Sequence, residues 1–339
     1  MKGIYLKEPW DISMRELEEP APKEGEALIR VKSAGICGSD IGAFRGSNPL
    51  VSYPRVIGHE IAGEILYIPE NSKGLQAGDR VIVDPYLYCG HCYPCSIGRT
   101  NCCTDLKVLG VHVDGGMVET FAHPAEMLVK VPDDMDWELI PLAEPLTIAL
   151  HGLHRLKLAA GEHVAISGAG PIGLLAAMAA IHYGAEPIVI DPVEERLEKA
   201  KELGVKHVIN PVTEDLVDQI AKITNGRMAE AVMEASGANS AILNTLHIVA
   251  NAGRIALTGW PKNSTPIDTG MITKKEVDIR GARTSAGEFE EAVDLIYNGK
   301  VDVRSILTKV VPLEEAPEMV REIERNPGDY LKVNVMMED

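Results

Sequence analysis

The stretch HVAISGAGPIGLLAAMAAIHYG, residues 163–184, constrains this chain more than any other part of it. A compact apolar run, HVAIS (163–167), meets a glycine turn, and a long apolar segment follows. Pro171 stands where a first helical turn tolerates proline, and Gly184 where a helix ends. Gly168-Ala169-Gly170-Pro171-Ile172-Gly173 fits the pattern G-x-G-x-x-G. Such glycines permit a tight turn and close backbone approach, and the helix N-terminus faces a pyrophosphate. Alone the pattern is weak; between a strand and a helix it predicts a dinucleotide site. The next strand, PIVID, ends at Asp191, eighteen residues past Gly173. A carboxylate there accepts hydrogen bonds from ribose hydroxyls and repels a 2′-phosphate, which favours NAD over NADP. Arg196 suits stacking on the adenine, or holding a 2′-phosphate. The bland alternative is a glycine turn that binds nothing.

The alternation continues through EERLEKAKELG, HVIN, EDLVDQIAKITNG, AEAVMEASG, SAILNTLHIVANAG and RIALTG. Strand and helix in alternation imply right-handed crossovers and a parallel, doubly wound sheet. Ser236 and Thr258 close two later strands and are further cofactor candidates, because carboxyl ends of strands line such sites. Before this region the texture changes. EALIRVKSAG, HEIAGEIL and DRVIVDPYL are short strands broken by glycine and proline, with Ala27, Ile29 and Val31 alternating. This predicts a barrel-like all-β domain. The tail holds a helical stretch, EFEEAVDLIYNG, and an alternating strand, YLKVNVMM. The expected division is 1–147 with 287–339 as a discontinuous domain, and 148–286 as the dinucleotide domain, with an active-site cleft between them.

With 339 residues and 45% apolar composition, two packed domains need no staples. A formal charge of −17 repels phosphate backbones and anionic lipid, so neither nucleic acid nor membrane is an expected partner. No run of eighteen apolar residues exists, and MKGIYLKEPW lacks a signal peptide's apolar core, so the expected location is the cytoplasm. Of six cysteines, five lie between positions 89 and 103. In a reducing compartment that density points to a metal. Cys89, Cys92, Cys95 and either Cys102 or Cys103 would close a tetrahedral structural zinc site. An iron–sulfur cluster has a different last interval and a following proline, and a nucleic-acid-binding zinc ribbon conflicts with the charge. Cys37, in GICGSD, and His59-Glu60, in GHE, form a sparser set. Thiolate, imidazole and carboxylate suit zinc with an open position. Glu144, in AEPLTIALHG, is a carboxylate just before the expected dinucleotide domain, and its plain reading is a helix-start acid.

Taken together, GICGSD (35–40), GHEIAGEI (58–65), GDRV (78–81), the cysteine loop, DGG (114–116), EPL (144–146) and GAGPIG resemble the zinc-dependent medium-chain dehydrogenases of the sorbitol dehydrogenase-like branch. The resemblance runs in family order over nearly the whole chain. It implies a GroES-like domain that receives the tail, and a Rossmann domain. It implies that Cys37, His59 and Glu60 hold a catalytic zinc, with Glu144 beside it or exchanging with Glu60. It assigns Cys89, Cys92, Cys95 and Cys103 to the structural zinc, and Ser39 to proton transfer. One departure stands out: many members carry His where this chain has Gly42.

SYPRVIGHE (52–60), CGHCYPCSIGRTNCC (89–103) and LGVHVDGG (109–116) are similar to the subgroup of L-galactonate 5-dehydrogenase and RspB-type proteins. That similarity implies NAD-linked oxidation of a secondary hydroxyl of a sugar acid or polyol, in a homodimer or homotetramer. The alternatives are a polyol or polyol-phosphate dehydrogenase, and a non-catalytic regulatory relative. Arg45, His112 and Arg283 are candidate substrate contacts, since an aldonate carboxylate needs a cation against the acidic field.

Overall fold

In the computed structural model residues 1–337 are described. The last two residues of the expected discontinuous domain lie outside them. By contact the chain divides into two compact units. One comprises Met1–Glu144, Phe289–Tyr297 and the chain from Val303 onward; the other comprises Pro145–Glu288 and Asn298–Asp302.

The first unit is built on the strand Glu26–Ile36, where Ala27, Ile29 and Val31 are buried as the alternation predicts. It pairs antiparallel with Glu60–Tyr67 on one side and Lys332–Met336 on the other. Arg80–Val83 and Leu128–Lys130 extend the sheet past Glu60–Tyr67; Leu307–Pro312 extends it past Lys332–Met336, and Thr120–Pro124 also pairs with the central strand. The curved sheet closes around Ile4, Ile29, Ile57, Ile61, Met117 and Leu128, all fully buried. The tail strand therefore completes the N-terminal sheet from some 300 residues away.

Helices interrupt the all-β texture, among them two outside the sequence expectation. Gly38–Arg45 begins immediately after Cys37, and Ala316–Arg325 precedes the last strand. The sequence pattern predicts neither. The first is short and glycine-bearing, and its start is marked by a cysteine cap rather than by a Ser, Thr or Asn.

The second unit is a six-stranded parallel sheet. In chain order its strands are His163–Ser167, Glu186–Ile190, His207–Ile209, Ala229–Glu234, Val249–Leu257 and Asp278–Gly281. In space they run third, second, first, fourth, fifth, sixth. The order reverses beside the first strand, and that switch point is where doubly wound sheets take their ligands. Pro171 opens the helix Pro171–His182, and Gly184 adopts a left-handed φ of 78° just past its end. One boundary differs from expectation. The sequence predicts helix through HIVANAG, but the helix ends at Ile248 and Val249 starts a strand with a register shift near its beginning. Helical spacing and strand alternation both fit so short an apolar run.

Candidate functional site

The dinucleotide turn is shaped by steric limits. Gly168 has φ 105°, open mainly to glycine. A Cβ on Gly173 would lie 1.8 Å from the Gly168 carbonyl oxygen, so only glycine lets the helix start this close to the strand. Around Gly170 nothing would meet a Cβ within 4 Å, which leaves room in front of the helix N-terminus that begins at Pro171 and Ile172. Asp191 is buried, and its carboxylate accepts the Ala169 N–H at 2.7 Å and the Val193 N–H at 2.9 Å. Its first task is thus to hold the turn, and each oxygen keeps lone pairs for a ribose. Arg196 Nη1 stands 4.0 Å from Asp191 Oδ2.

Ser236 and Gly237 are organised by Glu234, a fully buried carboxylate that accepts both of their N–H groups. Sequence reasoning misses Glu234, though a lone acid ending an apolar strand is its signal. Thr258 Oγ1 is buried without a hydrogen-bond partner.

In the first unit Cys37, His59 and Glu60 offer ligand atoms that all lie within 4.8 Å of one another. Each is placed by its element. Cys37 caps the helix Gly38–Arg45, and its N–H donates to Asp40 Oδ2 at 2.9 Å. Glu60 begins the strand that pairs with Gly35, and His59 precedes it. His59 Nδ1 is buried without a hydrogen-bond partner, and Asp40 Oδ1 at 3.9 Å is too far to serve as one. Ser39 Oγ is a second orphaned buried atom.

The electrostatics of the pocket are anionic. Asp40, Glu60 and Glu144 are each at most 1% exposed, beside Cys37. Burial pushes Glu144 up to about 7, with Glu60 adding to the rise against the pull of His59, the Tyr86 hydroxyl and Lys332. Burial also raises Asp40. Burial alone would lower His59, but Cys37, Asp40 and Glu144 outweigh it and hold its pKa well above the usual value. Lys332, 4% exposed, is the buried cation here: both Glu60 oxygens lie within hydrogen-bond reach of its ammonium. So many buried carboxylates and one thiol call for further positive charge. A soft thiolate, an imidazole and a carboxylate form a donor set that zinc accepts.

Glu144 opens the helix Ala143–Leu156, and its Oε1 accepts the Tyr86 hydroxyl. It stands outside the group formed by Cys37, His59 and Glu60. Sequence reasoning does not single out Lys332, Asp40 or Tyr86. A lysine inside the apolar alternation of YLKVNVMM is the one available signal.

Cys89, Cys92, Cys95 and Cys103 form the second group within 4.8 Å. Cys92 Sγ lies 3.4 Å from Cys95 Sγ and 3.8 Å from Cys103 Sγ. Backbone N–H groups of Thr104 and Cys95 draw the Cys92 thiol down to about 6, which favours the thiolate that a metal needs. Cys102 points elsewhere and accepts from Arg99 Nη2 at 3.6 Å.

The substrate candidates fare differently. Arg45 donates to both carboxylate oxygens of Glu324, from Nε at 3.0 and 2.9 Å. It also stands at the far end of its helix, roughly 12 Å of helical rise from Cys37. Glu324, on the last helix, is the bidentate partner of the Arg45 guanidinium in this structure. His112 Nδ1 accepts the Val108 N–H at 3.1 Å and serves a turn. Arg283 is half-buried in the segment 282–288, whose last residue, Glu288, has Oε1 2.7 Å from His151 Nδ1.

The chain matches two families: the alcohol dehydrogenase GroES-like domain over residues 23–133, and the zinc-binding dehydrogenase domain over residues 171–298. An uncharacterized zinc-type alcohol dehydrogenase-like protein of Haemophilus influenzae is 56% identical, over 99% of this chain and 98% of its own. L-galactonate-5-dehydrogenase of Escherichia coli is 36% identical, over 94% of each chain. The crystal structure of RspB from Escherichia coli CFT073, complexed with NADH, superposes with a TM-score of 0.93 at 36% identity, covering 99% of both chains. The expected pairing of a GroES-like domain with a Rossmann sheet is thereby met.

Proposed function

This chain belongs to the zinc-dependent alcohol dehydrogenases, an oxidoreductase family with nicotinamide cofactors, and on that premise we propose that it oxidises a secondary hydroxyl of a sugar acid or polyol to the ketone, with NAD as hydride acceptor. The observation that carries the reading is the convergence of Cys37, His59 and Glu60 in a buried, anionic pocket. These three residues would hold the catalytic zinc, with Glu144 beside them. Cys89, Cys92, Cys95 and Cys103 would hold the structural one. When bound, the catalytic ion supplies Lewis acidity toward the substrate hydroxyl.

The chain's own residues supply the rest. Ser39, whose buried hydroxyl lacks a partner, takes the hydroxyl proton and passes it toward solvent. The Gly168–Gly173 turn and the helix opened by Pro171 and Ile172 hold the pyrophosphate. Asp191 takes the adenosine ribose hydroxyls and selects NAD, with Arg196 beside the adenine. Ser236 and Thr258 line the cofactor side. Arg45, His112 and Arg283 are the candidate contacts for a substrate carboxylate. A sugar acid is favoured because a relative covering nearly the whole chain acts on L-galactonate. We place the enzyme in the cytoplasm as a homodimer or homotetramer, joined through the sheet edge at Asp278–Gly281. Among the described residues no helix is long and apolar enough to cross a membrane.

NADH formation with a panel of hexonates, sorbitol, galactitol, L-iditol and threonine tests the reading, each run with and without a zinc chelator. Chelator-sensitive turnover of a hexonate or polyol is expected. Silence across the panel, with both zinc ions present and NAD bound, overturns it in favour of a regulatory relative.

A further inference from the structure

Tyr86 joins two parts of the first unit that the functional reading treats separately. It lies on the short strand Tyr86–Leu87, which pairs antiparallel with Lys107–Val108. Its ring packs with Cys103 and Leu106, and Cys89, Cys92 and Cys95 pack against that small cluster. Its hydroxyl donates to Glu144 Oε1. Its own N–H donates to Asp84 Oδ1 at 3.1 Å, so ring, oxygen and backbone are all held. One side chain with two rotatable torsions thus packs with the four-cysteine loop and has its oxygen on a carboxylate of the other pocket.

We propose that Tyr86 is a positioning residue that couples the four-cysteine metal loop to the Cys37–His59–Glu60 centre through Glu144. The inference rests on the assignment of zinc to both groups. Four thiolates drawn to one ion set the shape of the loop and so seat the Tyr86 ring. The seated ring aims its hydroxyl, and the hydroxyl keeps Glu144 beside the three mutually close ligands rather than among them. Emptying the loop frees the ring and with it Glu144. Coupling of this kind is reciprocal, so a change at the catalytic ion also alters retention of the structural one.

The test uses full-length protein with zinc in the four-cysteine loop and cobalt(II) at the Cys37 centre. Tyr86→Phe removes one oxygen and keeps the ring. It is expected to leave structural zinc content unchanged, to shift the visible cobalt bands, and to speed cobalt loss to dipicolinate by roughly tenfold, as losing a group that orients a metal site does. Cys103→Ser is expected to shift the cobalt bands when introduced into the wild-type protein. Introduced into the Tyr86→Phe variant it is expected to add nothing, the signature of one shared route. Should Cys103→Ser fail to fold, Cys89→Ser, at a less buried position of the same loop, gives the same comparison. Unchanged bands and loss rate in Tyr86→Phe overturn the coupling, as do equal shifts in both backgrounds. A wild-type protein without a cobalt band that depends on Cys37 overturns the functional reading itself, which separates the two failures.

Discussion

Gly35 and Lys332 sit on paired strands and together decide where the Glu60 carboxylate rests. A Cβ on Gly35 would lie 1.9 Å from Glu60 Oε2, so any other residue there pushes the carboxylate aside. Lys332 then neutralises what Gly35 admits. Removing one partner of a buried pair strands the other charge, at a cost of about 3–5 kcal/mol. Lys332→Met is therefore expected to lower the melting temperature, and to lower it more in the metal-free protein than in the zinc-loaded one. Zinc would supply the missing positive charge beside Glu60. Equal losses with and without zinc, read by calorimetry, would contradict that account.

At the scale of elements, the working parts are ends rather than middles. The helix Gly38–Arg45 presents its N-terminus at Cys37, and Pro171–His182 presents its own at the glycine turn. The second depends on a contact with no slack, since a Cβ on Gly173 would overlap the Gly168 carbonyl at 1.8 Å. Gly173→Ala is expected to weaken NADH binding by at least tenfold in a fluorescence titration, while both metal contents stay at the wild-type level. Wild-type affinity in that variant would show that the helix does not need to start so close to the strand. The segment after Asp278–Gly281 is likewise tied at one end, by Glu288 against His151. The two side-chain hydrogen bonds from His151 and His154 hold the Glu288 carboxyl down to about 2 although burial opposes them.

For the molecule as a whole, a formal charge of −17 acts on every charged ligand that approaches. An anionic sugar acid meets a repulsive field that salt screens over about 10 Å at 0.1 M. Its KM is expected to fall as ionic strength rises from about 0.01 to 0.2 M, while the KM of a neutral polyol stays level. A common trend for both substrates would mean that the long-range field plays no part in binding.

Sequence alone determined what is local. A strand, a glycine turn, a proline and an acid follow one another within thirty residues, and steric limits on φ and on close approach allow them few other arrangements. The cysteine spacing likewise brought four thiols into one loop, since a short loop between them costs little entropy to close. What only the tertiary structure decided are pairings between distant segments. Lys332 reaches Glu60 across 272 positions, and Tyr86 reaches Glu144 across 58. Arg45 turns to Glu324 across 279. No spacing rule encodes such partners: they follow from which strands share an edge and which side chains the sheet turns inward. The burial that results makes each of these charges costly without its partner, and so makes the pairings specific.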